Sequence, residues 1–362
     1  KEAAVTSPAW VVVQPLTLPH HTPMVDIPLW AQPLGMVAAQ AAAVPAGQLA
    51  YRLIAVRRKE AAGLGGEGER ALGFPPEMSA GQVTVGDWVT ADPETGRVTS
   101  ILPRQSLLSR RAAGVEAKPQ LLAANVDTLF VTTSCNEDFN EARLERYLAL
   151  ALEADVAPVI VLTKSDLAAN PAEYAPRAAR LSDRLAAVLT VNAKSSQVAQ
   201  DFAPWLGQGR TVAFVGSSGV GKSTLINALS LAEQATGGVR EGDQKGRHTT
   251  TSRALLPLRA GGWVIDMPGM RELGLHDVAD GIDLVFADLA DLSTQCRFRD
   301  CAHEAEPGCA VLAAIGAGEA DADRVMRWKK LKAEDALNAM TMGKTRSEAR
   351  RITRGLTKPP RR

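Results

Sequence analysis

Thr211-Val212-Ala213-Phe214-Val215-Gly216-Ser217-Ser218-Gly219-Val220-Gly221-Lys222-Ser223-Thr224 decides the fold of this chain. Its first residues are β-branched, aromatic or small and carry no charge, which is the composition of a buried strand. A helical pattern begins at Thr224-Leu225-Ile226-Asn227-Ala228-Leu229. Between the two lies Gly-x-x-x-x-Gly-Lys-Ser, and strand–loop–helix is the context in which that loop cradles phosphates. Its glycines let successive N–H groups turn inward at a helix N-terminus whose dipole favours anions. Lys222 then reaches the β- and γ-phosphates, and the Ser223 hydroxyl ligates Mg2+. A plain strand-to-helix turn is the alternative; the Lys-Ser pair and both flanks argue against it.

A phosphate loop selects neither base nor reaction. Upstream, the apolar run Val159-Ile160-Val161-Leu162 ends in Thr163-Lys164-Ser165-Asp166. Asp166 therefore falls at the carboxyl end of a parallel strand, where open α/β sheets bind ligands. A carboxylate there accepts from guanine N1 and N2; adenine lacks that donor pair and would leave the carboxylate unsatisfied. Lys164 lays its aliphatic stem along the base. Taken alone, Thr-Lys-Ser-Asp also fits a surface turn. Val188-Leu189-Thr190-Val191 is a further short strand, followed by Asn192-Ala193-Lys194, similar to the Ser-Ala-Lys loop that offers a backbone N–H to guanine O6. Downstream, the strand Trp263-Val264-Ile265 delivers Asp266-Met267-Pro268-Gly269. Asp266 would hold Mg2+ through water and the Gly269 N–H would touch the γ-phosphate. Between them, Gly246-Arg247-His248-Thr249-Thr250-Thr251 is polar and glycine-flanked, and Thr250 is the candidate switch ligand for Mg2+. The base reader thus precedes the phosphate loop, a rotation of the common order.

Cys296-x-x-x-x-Cys301-x-His303-x-x-x-x-x-Cys309 gathers three of the four cysteines and one of the five histidines. Three thiolates and an imidazole complete a tetrahedral zinc shell, so the ion would be structural, one per chain. Pro307-Gly308 supplies a turn that returns the last ligand. Cys135 stands apart, after an apolar strand, and reads as a buried small hydrophobe.

The rotated motif order, Gly-x-His-Thr-Thr-Thr, Asp-x-Pro-Gly and the Cys/His cluster together resemble the circularly permuted GTPases of the RsgA/YjeQ family. The resemblance runs from about Gln82 to Lys330 and includes Val85-Gly86-Asp87-Trp88-Val89, Leu102-Pro103-Arg104 and Ala124-Asn125-Val126-Asp127. It implies a multidomain α/β chain: an N-terminal OB-like β-barrel, a circularly permuted P-loop GTPase domain and a C-terminal zinc-binding helical domain. It also implies GTP hydrolysis dependent on the small ribosomal subunit, contact with 16S rRNA and a role in late 30S maturation. Three departures stand out. Thr163 replaces the usual Asn, implying a weaker bridge from base to phosphate loop and lower guanine affinity. Asn192 replaces Ser, and the first ~80 residues match the family poorly. Met270 occupies the place where many GTPases carry a water-orienting Gln. His248 is the candidate substitute, against the simpler reading of an exposed loop histidine.

With 362 residues and 46% hydrophobic content, the chain can bury at least two cores. The expected division is 1–47, an extension; 48–104, a barrel; 105–119, a basic linker; 120–277, the GTPase domain; 278–340, the zinc-binding domain; and 341–362, a basic tail. Residues 1–47 are broken by prolines and fit either a disordered extension or an arm packed by Trp10 and Trp30. Short strands are expected at Tyr51–Val56, Gln82–Val85, Trp88–Thr90 and Arg97–Leu102, with Gly63–Gly68 as a separator. That pattern alone fits an OB or an SH3-like barrel equally. Leu144, Tyr147, Leu148, Ala151 and Leu152 trace one helical face.

A net charge of +1 gives no global case for RNA. Locally, Lys344–Arg362 holds eight Lys or Arg against one Glu. Arg324, Arg327, Lys329, Lys330 and Lys332 form a basic helical stripe before it, which favours RNA contact over a merely solubilising end. No run reaches transmembrane length and no secretory signal is present, so a cytoplasmic, monomeric protein without membrane contact is expected. Two rivals to a GTP hydrolase stand: a nucleotide-gated RNA-binding module with incidental turnover, and a P-loop kinase, which has no use for Asp166.

Overall fold

The computed structural model describes residues 27–111, 119–231, 253–267 and 277–356, with 111 and 341–356 as backbone only. The described chain enters through a turn-rich arm ending in α1 (Ala38–Ala42). Ala31, Leu34 and Met36 of this arm share an apolar cluster with Trp88 and Leu102. Gln40 is fully buried, where its amide donates to Pro103 O at 3.0 Å and Asn125 Oδ1 at 3.1 Å. Of the two readings of the first residues, the packed arm describes the chain from residue 27, with Trp30 and Trp88 ring centroids 6.2 Å apart. Trp10 lies outside the described residues.

Five antiparallel strands follow: β1 (Leu49–Val56), β2 (Glu60–Gly65), β3 (Gly68–Gly73), β4 (Trp88–Ala91) and β5 (Val98–Ile101). Their order is β3-β2-β1-β4-β5. A parallel bridge between Gly73 and Arg97 brings the two outer strands together, so the sheet closes as a Greek-key barrel of the OB type. Two expectations differ from this. The Gly63–Gly68 separator is mostly hairpin: Gly63 and Gly65 lie within β2 because Tyr51 crosses them, and a Cβ at Gly65 would stand 2.7 Å from that ring. Gln82–Val85 is not a strand. The Asp87 carboxylate takes the Thr84 N–H at 2.8 Å, diverting it from any ladder.

The segment expected as a linker contributes β6 (Leu107–Arg111), which pairs antiparallel with β7 (Pro119–Ala124). Leu108 is fully buried and fastens this hairpin to the larger core.

Next come β8 (Thr128–Ser134), α2 (Glu141–Glu153), β9 (Ala157–Thr163), α3 (Tyr174–Ala179), β10 (Ala187–Thr190) and α4 (Val198–Phe202). They are followed by β11 (Thr211–Val215), α5 (Lys222–Leu229), β12 (Leu255–Pro257) and β13 (Trp263–Asp266). The sheet order is β10-β9-β8-β11-β13-β12. All neighbours are parallel except β12 against β13. Every residue of β8 and β11 is buried, as a sheet covered on both faces requires. One face packs α2 through Leu144, Tyr147, Leu148 and Ala151, and the other packs α5 through Leu225, Ile226 and Leu229.

The remainder is helical: α6 (Ala279–Val285), α7 (Ala287–Thr294), α8 (Ala310–Ala317) and the long α9 (Ala322–Leu356). Val325, Trp328 and Leu331 of α9 join the same apolar cluster as α2. The C-terminal helices therefore share a core with the parallel sheet instead of building one of their own.

Candidate functional site

Because β8, β9, β10, β11 and β13 run parallel, their carboxyl ends meet at one edge of the sheet. Val215 hands the chain to the phosphate loop at that edge. Gly216 adopts φ +143°, and a Cβ there would stand 2.1 Å from Thr132 O, so no other residue fits. Gly221, with φ 100°, caps α5. Ser217 and Val220 are buried, whereas Ser218, Gly219 and Ser223 are exposed and Thr224 is half-buried. Lys222 folds back over the loop, its Nζ donating to Gly216 O at 2.7 Å and Ser217 O at 2.6 Å. Burial pushes its ammonium down to about 8, against the attraction of Asp266 and Asp138. Asp266 ends β13, is buried and lies in register with Phe214.

Thr163 closes β9 and is fully buried. Its hydroxyl lies 2.5 Å from Val220 O in the phosphate loop and 3.1 Å from Thr133 O. The contact of this position with the phosphate loop is thus made by the shorter Thr163 side chain. Lys164 takes a left-handed conformation, φ 56°, which starts a single 3-10 turn over Ser165–Leu167. That turn leaves Asp166 exposed beside the loop. Asn192 follows β10, and its Oδ1 accepts the Lys194 N–H at 3.0 Å, holding the Asn192-Ala193-Lys194 turn with its own side chain. Gly246–Thr251 with His248 and Thr250, and Gly269 with Met270, lie outside the described residues.

A second constellation follows α7 and ends at Cys309, which caps α8. The ligand atoms of Cys296, Cys301, His303 and Cys309 all lie within 4.8 Å of one another. Cys296 Sγ is 3.8 Å from Cys309 Sγ and 3.6 Å from His303 Nδ1, which is 3.4 Å from Cys309 Sγ. A tetrahedron with metal–sulfur bonds of about 2.3 Å has edges of about 3.8 Å, so the donor set fits a four-coordinate ion. The Glu306 carboxylate accepts N–H groups from Glu304, Ala302 and Ala305, which shapes the loop and lowers its pKa to about 2. The His303 ring stacks on Trp328 of α9, centroids 5.5 Å apart. Cys135 is buried in the sheet core, and burial raises its thiol above the usual range.

The basic stripe of α9 behaves differently from its sequence reading. Arg327 pairs with Glu145 at 2.8 Å and Glu141 at 3.3 Å. Arg324 pairs with Asp288, Lys329 with Glu304 at 3.3 Å and Lys332 with Asp283 at 3.1 Å. Four of the stripe's five cations are thus engaged with acids of α2, α6, α7 and the metal-binding loop. Glu145 lies 182 residues from Arg327 in sequence, which hid that pairing from a linear reading. Equally hidden was Arg52, fully buried on β1, which donates to Thr211 Oγ1 at 2.7 Å and to Asn125 O at 3.3 Å.

A largely parallel sheet whose Gly216–Ser223 loop follows the Thr163–Asp166 turn in the chain, both at one edge, has the layout of a circularly permuted P-loop GTPase. Residues 101–276 match the family model for the RsgA GTPase. A protein of Mesorhizobium japonicum named small ribosomal subunit biogenesis GTPase RsgA is 50% identical over 303 residues, 83% of this chain and 87% of that protein. The chain belongs to the RsgA GTPase family. A Vibrio parahaemolyticus protein named small ribosomal subunit biogenesis GTPase RsgA 2 is 49% identical over 271 residues, 75% of each chain. The fold is shared with YjeQ from Thermotoga maritima, TM-score 0.57 at 24% identity, covering 79% of this chain and 98% of that one. It is shared too with YloQ, a circularly permuted GTPase, at TM-score 0.54 and 23% identity, covering 79% and 94%.

Proposed function

We propose that this chain hydrolyses GTP to GDP and phosphate while engaged on the small ribosomal subunit, acting in its late maturation through contact with 16S rRNA. The observation that carries the reading is the Thr163 contact with Val220 O, which ties the base-reading turn directly to the phosphate loop. Relatives at half identity bear the name of small-subunit biogenesis GTPases, and no described helix is long and apolar enough to cross a membrane. A cytoplasmic location accords with such a partner.

In this reading Asp166 selects guanine, Lys164 covers the base and the Asn192-Ala193-Lys194 turn supplies an N–H to O6. The loop from Gly216 to Ser223, with Thr224 behind it, cradles the phosphates at the start of α5. Lys222 exchanges its two carbonyl partners for phosphate oxygens, which repays the burial of its charge. Ser223 and Asp266, with Thr250 from the switch, would hold Mg2+, which neutralises charge on the β- and γ-phosphates. Gly269 offers its N–H to the γ-phosphate. Met270 cannot orient water, so His248 takes that role once a partner brings it into place. Cys296, Cys301, His303 and Cys309 would hold one structural zinc ion, with no open position for catalysis.

The test is GTP turnover with and without purified 30S subunits, with ATP and 50S subunits as controls. Stimulation by 30S with GTP alone is expected. His248→Ala should keep GTP binding and lose the stimulation. Equal turnover with and without 30S would overturn the reading.

A further inference from the structure

Between the first two cysteines of the metal cluster the chain carries Arg297-Phe298-Arg299-Asp300. Phe298 is 42% exposed, although a phenyl ring ordinarily buries most of its surface. One side of it is covered by the Arg297 guanidinium, whose carbon lies 5.5 Å from the ring centroid. The backbone beneath is fixed. Arg297 donates its N–H to Gly308 O at 3.1 Å, and Cys301 donates to Phe298 O at 3.4 Å. Gly308 is pressed so closely under Arg297 that a Cβ there would come within 3.1 Å of the arginine's own. A ring presented on a fixed loop loses little freedom when something stacks on it.

Charge selects what stacks. Neither Arg297 nor Arg299 has an ion-pair partner among the described residues. Asp300 is the only acid between the two cysteines. The neighbouring acids are engaged: Glu304 pairs with Lys329 at 3.3 Å, and Glu306 accepts three N–H groups of its own loop. Two guanidiniums beside an open aromatic face match a nucleobase flanked by phosphates.

We infer that Arg297, Phe298 and Arg299 form a stacking platform for single-stranded RNA. A base lies on the open face of Phe298 while the adjoining phosphates meet the two guanidiniums. Duplex RNA is a poor occupant, because its bases are already stacked on one another. The inference rests on the RNA-bearing partner proposed above and names the part of the chain that grips an unpaired segment of it.

The experiment titrates the full chain with a labelled oligoadenylate of about twelve nucleotides, within the range of ordinary single-strand sites. A duplex RNA of the same length is the control. Phe298→Ala should weaken single-strand binding about tenfold and leave duplex binding unchanged, and Phe298→Trp should restore it. Arg299→Ala should lower the slope of log affinity against log salt by about one. Unaltered zinc content in each variant shows that the loop is intact. Equal single-strand affinity in Phe298→Ala and the parent overturns the inference, as does an equal loss on the duplex or no binding by the parent. Loss of 30S association by Phe298→Ala with full oligoadenylate affinity would assign the ring to a protein surface and also overturn it. In any of these cases a persistent 30S stimulation of GTP turnover leaves the GTPase reading standing. Absent stimulation removes that reading whatever the oligoadenylate shows.

Discussion

At the scale of single residues, the nucleotide edge is set by side chains that touch two loops at once. Thr163 is the clearest, since its hydroxyl lies 2.5 Å from Val220 O while its backbone closes β9. A net hydrogen bond contributes about 0.5–1.5 kcal/mol. Thr163→Ala should therefore loosen GTP by about two- to tenfold, with Thr163→Ser close to the parent; fluorescence titration with a labelled GTP reads both. Unchanged affinity in the alanine variant would make the bridge incidental. Lys222 gives the site a pH dependence. Burial lowers its ammonium to about 8, whereas phosphate oxygens favour the charged form. Binding thus takes up a proton wherever Lys222 has lost one. GTP affinity should be full below about pH 8 and fall as pH rises through it. Calorimetry with Mg2+-saturated GTP in buffers of different ionisation enthalpy should find proton uptake at about pH 8.5 and little at about pH 7. Identical proton counts at both would contradict this account of Lys222.

At the scale of elements, α9 is fastened to α2 by a pair that water hardly reaches. The Glu145 side chain is 0% exposed and Arg327 19%. Burial raises the Glu145 carboxyl above its usual range, and the Arg327 guanidinium offsets part of that rise. Removing one partner of such a pair costs about 3–5 kcal/mol, because the other charge is left stranded. Arg327→Met should lose about that much stability in urea unfolding, and the double variant with Glu145→Leu should recover most of it. A single variant as stable as the parent would show that the pair holds nothing.

The same helix shows where the sequence was legible and where it was not. Strand–loop–helix at Thr211–Leu229 and the face of α2 follow from local pattern, and both are where the pattern put them. The cysteine spacing brought its four ligands together as well. The ion pairs of the basic stripe were not legible, because its acids belong to other elements. β2 went unseen because its glycines yield to Tyr51, a packing demand that no linear pattern carries.

At the scale of the whole molecule, the rotated order has a consequence for where forces enter. The barrel and its arm attach to the sheet at two places, the amino ends of β11 and β13 and the start of β12, where Leu255 pairs with Ile265 beside Asp266. Arg52 reaches Thr211 at the start of β11, and Trp263 at the start of β13 donates to Pro33 O at 2.8 Å. Ala55 of β1 forms an antiparallel bridge with Ala254, directly before β12. On the other flank, the chain beyond Asp266 returns at α6, where Gly281 donates its N–H to Glu153 of α2 at 2.7 Å. Barrel and metal-binding helices thus grip the sheet through different elements.

The central claim is that a base reader lying before the phosphate loop in the chain serves that loop in space. Xanthine carries a carbonyl where guanine carries its 2-amino group, so an amide in place of Asp166 exchanges an acceptor for a donor. The deciding measurement is 30S-stimulated turnover of GTP and XTP by Asp166→Asn. GTP turnover should collapse at concentrations that saturate the parent while XTP supports stimulated turnover. Undiminished GTP turnover, with XTP no better than for the parent, would contradict it.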